Sequence, residues 1–158
     1  MSKTSKKNIC RILFAASVFL LFFCPIEYVR VVLNSGAIKS SCHVSVFTAL
    51  FIGNIEKGEF SYSAVTSPAL AAALVLQIVG LILAFFKKWY GIGIVSVIAS
   101  WIIIYFCSCV VVNVQSELIN RCEGTIKAGN SLFSLLTIAC EAVYFLFEGL
   151  SFFGSVKS

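Results

Sequence analysis

Hydrophobic and polar positions alternate along this chain in long blocks. Met1 to Asn8 is polar and basic, and an apolar run follows from Ile12 to Cys24. Crossing a hydrocarbon core of ~30 Å at ~1.5 Å per residue takes about 20 residues. The first block therefore predicts a span over about 9–28, kinked near Pro25, with Arg11 snorkelling to the headgroups. No small-x-small cleavage signature follows it, so it reads as an uncleaved anchor. The second block opens with Thr66 and Ser67 as candidate N-caps and Pro68 at the first helical position, which predicts a span over 68–86. Lys87-Lys88-Trp89-Tyr90-Gly91 is a basic, aromatic hinge. A third span is predicted over about 91–113 and a fourth over 131–153.

The segments between these blocks, 29–67 and 114–130, lean polar and are predicted as loops on one side. Over Ile26 to Thr66, Glu27 to Val32 and Phe60 to Ser63 partly alternate, with turn signals at Asn34-Ser35-Gly36 and Lys57-Gly58. Two or three short strands are expected there. His43 to Ile52 fits a strand or a short amphipathic helix, and periodicity does not choose between them. The architecture this pattern predicts is an all-α membrane protein: a four-transmembrane-helix bundle with a small loop region containing short β-strands.

The predicted spans are not apolar all round. Ala69, Ala73, Gln77, Gly80 and Ala84 share one helical face, as do Gly93, Ser96, Ser100 and Cys107 in the next block. In the last, Ser134, Thr137, Glu141, Tyr144 and Glu148 recur at helical spacing. Small residues let helix backbones approach and polar ones hydrogen-bond across helices, so the stripes point to inward-facing packing.

Composition agrees with a membrane solvent. Of 158 residues, 59% are apolar and 12% charged, against about 25% charged in soluble domains; mean hydropathy is +0.99. The net charge is +5 with seven acids, all of them Glu. The positive charges flank apolar runs instead of forming a stripe among aromatics, which argues against nucleic acid. Lys3, Lys6, Lys7, Arg11, Lys87, Lys88 and Lys157 fall on one predicted side. This predicts a multi-pass protein of the cell membrane with both termini cytoplasmic.

Glu141 is the residue most worth following. A lone carboxylate at the predicted midplane must face the interior, be protonated or be paired. Its expected partners are Gln77, Ser100 or Ser96, with Thr137 on the same face. Arg11 and Glu148 are expected at similar depth and form a candidate ion pair, with Lys88 as the other possible cation. Cys42 and Cys122, one in each loop, are a candidate disulfide; Cys24 with Cys109 is the alternative. Cys107-Ser108-Cys109 lacks redox spacing, and one His, His43, beside one Cys makes a poor metal site. No metal or cofactor is expected. There is no Asp, no second His, no G-x-S-x-G and no phosphate loop, so catalysis has little support.

The stretch Val44-Ser45-Val46-Phe47-Thr48-Ala49-Leu50-Phe51-Ile52-Gly53, followed by Ser67-Pro68, resembles small four-span membrane proteins of Gram-positive bacteria; it brings no activity with it. The layout is tetraspan-like, but the first loop lacks the Trp and the second Cys of the claudin branch, and claudin function is not carried over. Small multidrug exporters place their Glu in the first span, unlike this chain. The expected role is a non-enzymatic accessory, scaffold or interaction subunit in the lipid bilayer, partnered by another membrane protein or by copies of itself. The alternative is a transporter or channel component using Glu141.

Overall fold

The computed structural model describes residues 3–107, 109–116, 119 and 124–153. The fold is mixed, with 56% helix and 29% strand among those residues, in four long helices and two antiparallel sheets. The elements are α1 (Lys3–Phe23), β1 (Pro25–Leu33), β2 (Ile38–Ser45), a single π-helical turn (Thr48–Ile52), β3 (Asn54–Lys57), β4 (Phe60–Thr66), α2 (Pro68–Leu83), α3 (Tyr90–Phe106), β5 (Val110–Gln115), β6 (Gly124–Asn130) and α4 (Ser134–Phe153).

This overturns the all-α four-span bundle. Among the described residues, only α4, 20 residues, is long and apolar enough to cross a membrane; α2 and α3 are shorter apolar helices. The multi-pass placement with both termini cytoplasmic loses its support with it. The errors have local causes. The first predicted span, 9–28, ran past Pro25, but α1 stops at Phe23 and Pro25 opens β1. Proline lacks an N–H and disfavours the helical region for the residue before it, and β-branched Val29, Val31 and Val32 then favour a strand. The third, 91–113, contained two elements: α3 ends at Phe106, and the valines from Val110 form β5. The second ends at Leu83 instead of 86, and the fourth starts at Ser134 instead of 131.

The sheets run in the orders β2-β1-β6 and β3-β4-β5. The β1–β2 and β3–β4 pairs are local hairpins. Their turns use Gly36 and Gly58 at φ 85° and 59°, a backbone region that side chains with a Cβ rarely adopt. The third strand of each sheet comes from far along the chain: β6 pairs with β1 from Glu27–Asn130 to Leu33–Gly124, and β5 pairs with β4 from Ser61–Gln115 to Thr66–Val110. The two sheets are also tied to each other. Tyr62 on β4 bonds Ser40 on β2 at 2.5 Å, and Lys57 Nζ donates to the Ser41 carbonyl at 2.9 Å. Alternation in β4 buries Phe60, Tyr62 and Ala64, while Val29, Val31, Val44 and Val46 close the core on the other side.

Each strand that adjoins a helix does so at the same end of the helical layer: β1 follows α1, β4 precedes α2, β5 follows α3 and β6 precedes α4. The helices pack as α1 against α4 and α2 against α3. The second pair is very close. A Cβ built on Gly93 would lie 2.6 Å from the Gly80 carbonyl oxygen, and one on Gly80 would lie 2.8 Å from the Gly93 carbonyl oxygen. Only glycine at both positions permits that crossing.

Candidate functional site

The inward stripe of α4 organises the helical layer. Ser134, Thr137, Glu141, Tyr144 and Glu148 are all buried. Glu141 lies where α2, α3 and α4 meet, and both of its oxygens are engaged. Gln77 Nε2 on α2 donates to Oε1 at 2.5 Å, and Trp101 Nε1 on α3 donates to Oε2 at 2.7 Å. One carboxyl group thereby joins three helices. Gln77 is fully buried, and its Oε1 has no hydrogen-bond partner.

The serines do not reach Glu141. Ser96 Oγ donates to the Leu76 carbonyl at 2.7 Å and Ser100 Oγ to the Ala73 carbonyl at 2.8 Å, so both fasten α3 to α2. Thr137 is buried one turn before Glu141. Sequence reasoning missed Trp101. The available signal was an indole in the middle of an apolar helix: it is a donor only, and a buried one needs an acceptor. Other ties run the same way. Tyr144 donates to the Leu81 carbonyl at 2.8 Å and Tyr90 to the Phe145 carbonyl at 2.6 Å, Tyr105 bonds Ser134, and Ser17 lies 3.5 Å from the Cys140 sulfur.

A groove opens beside this lock between α3 and α4. Its volume is about 220 Å³, and it is lined by Ile94, Val97, Ile98, Trp101, Ile138, Glu141, Ala142 and Phe145. Nearly all of the lining is hydrocarbon or aromatic.

Arg11 and Glu148 share a second cavity of about 210 Å³, at the end of the layer away from the sheets, with Lys7, Cys10, Phe85, Ser151 and Phe152. The Glu148 carboxylate takes its side-chain hydrogen bond from Cys10, not from the guanidinium. Lys88 lies over the Trp89 ring at 5.6 Å.

Cys42 is a buried free thiol whose sulfur faces the His43 carbonyl at 3.9 Å, and burial raises its pKa. Its proposed partner Cys122 lies outside the described residues. The alternative pair is not brought together as a disulfide. Cys24 donates to the Phe133 carbonyl at 2.9 Å and Cys109 to the Ile103 carbonyl at 3.5 Å, both as free thiols. His43 packs against the rings of Tyr28 and Phe133. Among the described residues, no cluster of His, Cys, Asp or Glu could hold a metal ion.

One acid draws attention only once the fold is known. Glu27 on β1 is half-buried at the junction of sheet and helix, in a cavity with Tyr105, Val110 and Asn130. Burial lifts its pKa from 4.5 to about 7, and a hydrogen bond from the Val110 backbone N–H offsets part of that. No family model, characterised protein or solved structure matches this chain.

Proposed function

We propose that the protein is a non-catalytic membrane scaffold or accessory subunit. Its helical layer contacts lipid and is anchored by α4, and it carries the two sheets on one side for a partner protein. The observation that carries this reading is the division of polarity in the helices. Inward polar side chains are spent on bonds between helices, while the outward faces are apolar: Val75, Val79 and Ile82 on α2, Val95, Ile98 and Ile102 on α3, Leu135, Leu146 and Leu150 on α4 are all exposed. Contiguous apolar surface on several adjacent helices is much more than a water-facing monomer carries. Lipid supplies a solvent for it, and α4 at 20 residues spans ~30 Å.

The engaged state of Glu141 supports a structural role. Both of its oxygens are occupied by donors from neighbouring helices. A transport role for Glu141 is the second reading, favoured by the groove that reaches it between α3 and α4.

The test is the partitioning of the full-length chain expressed in cells. It should stay with membranes through an alkaline carbonate wash and require detergent for release. A chain that is monodisperse in detergent-free buffer overturns the proposal. Reconstituted protein showing proton or cation flux that Glu141→Gln abolishes would replace the scaffold reading with the transport one.

A further inference from the structure

The end of the helical layer remote from the sheets is built differently from the rest. There the start of α1 meets the segment after α2 and the last turns of α4 around the cavity that holds Arg11 and Glu148. Lys7 and Arg11 are four residues apart on α1, so they present two cations on one helical face. Ser151 adds a hydroxyl donor, and Phe85 and Phe152 add aromatic walls. Among the described lining residues the one acid is Glu148, and its side-chain hydrogen bond comes from Cys10. Nearby, Lys87 lies over the Phe153 ring at 5.5 Å, so its charge also stays at this end. Phe86 and Phe153 continue outward as exposed rings, each 56% accessible.

We propose that this cavity binds the phosphate headgroup of an anionic phospholipid. Lys7, Arg11 and Ser151 hold the phosphate, while Phe85 and Phe152 direct the acyl chains onto the apolar flank of the helices. Two cations and a hydroxyl lining one cavity beside aromatic walls match an anionic head on an apolar tail, and basic pockets between helices at a membrane surface take such headgroups. The inference rests on the reading of the helical layer as lipid-contacting. It adds a defined site and a lipid class.

The experiment uses the full chain purified in mild detergent. Its thermal midpoint is measured with added phosphatidylglycerol, with phosphatidylcholine and with inorganic phosphate, and bound lipid is counted by native mass spectrometry. Phosphatidylglycerol should raise the midpoint and be retained at one molecule per chain, with little effect from the other two additives. At roughly one order of magnitude or slightly more per pair of near-surface cations, Lys7→Gln with Arg11→Gln should weaken phosphatidylglycerol binding about 30-fold. Lys87→Gln with Lys88→Gln, outside the cavity, should change it little. Equal losses in both double variants would mean diffuse surface attraction and overturn the site. Stabilisation by inorganic phosphate alone, to the same extent, would overturn the lipid assignment. If the Lys7/Arg11 double variant does not fold, single Lys7→Gln decides the matter by the same lipid count. A protein that needs detergent but shows no preference for phosphatidylglycerol sinks this inference and leaves the membrane reading intact. One that needs no detergent sinks both.

Discussion

Replacing Glu141 separates the need for a hydrogen-bond acceptor from the need for a charge. In Glu141→Leu, the Gln77 and Trp101 N–H groups lose the oxygens they now reach at 2.5 and 2.7 Å. Gln77 is fully buried and Trp101 is 8% exposed, so water does not readily replace the lost partner. A buried donor left unsatisfied costs about 1–3 kcal/mol, so two cost about 2–6 kcal/mol. For a chain of this size, that is a fall of roughly 4–24 °C in thermal midpoint. Glu141→Gln should behave differently. The new amide oxygen still accepts from Trp101. After rotation of the Gln77 amide, the new N–H group meets Gln77 Oε1, which has no partner in the present arrangement. The expected change is within about 1 kcal/mol. Thermal unfolding in mild detergent, with Trp101 fluorescence as the local reporter, reads both variants. If Glu141→Gln falls as far as Glu141→Leu, the charge carries the stabilisation and the reasoning from acceptor geometry fails. If Glu141→Leu leaves the midpoint unchanged, the three-helix lock contributes nothing.

Gly93→Ala should destabilise the α2–α3 pair by about 1–3 kcal/mol, because the new methyl would meet the Gly80 carbonyl 2.6 Å away and backbone cannot swing aside; an unchanged midpoint would refute so close a crossing. Tyr62→Phe removes the bond to Ser40 that joins the two sheets and should cost about 0.5–1.5 kcal/mol, seen as faster amide exchange in β2 and β4. Glu27 gives a pH dependence of definite sign. Its folded pKa of about 7 lies above its ordinary 4.5, so between those values the folded state holds a proton that the unfolded state has released. Stability from this group is therefore fully present below pH 4.5 and is lost as pH rises through 7. Glu27→Gln should flatten that part of the profile, and an unaltered slope would show that another group is responsible.

The amino-acid pattern determined the inward faces of α2 and α4, whereas Cys107, read onto the inward stripe of the third block, lies past the end of α3 and is exposed. The stripe Ser134, Thr137, Glu141, Tyr144 and Glu148 follows from 3.6-residue periodicity, and Gln77 falls on the buried face of α2 for the same reason. The start of α2 at Pro68 was equally legible, because proline at the first helical position is a local effect. What the pattern did not determine is how far each apolar run stays helical. Val110 to Val114 continues the hydropathy of α3 without a break, and only pairing with β4 makes it a strand. Hydropathy averages over a window and cannot see a hydrogen-bonded partner some fifty residues away, so four spans were read where one helix qualifies among the described residues. Tertiary structure also chose the partners of Glu141. Periodicity gives a face but not the depth or rotation of the neighbouring helix; these are set by the glycine crossing of α2 and α3. That crossing turns Ser100 toward a backbone carbonyl and brings Trp101, one residue on, to the carboxylate.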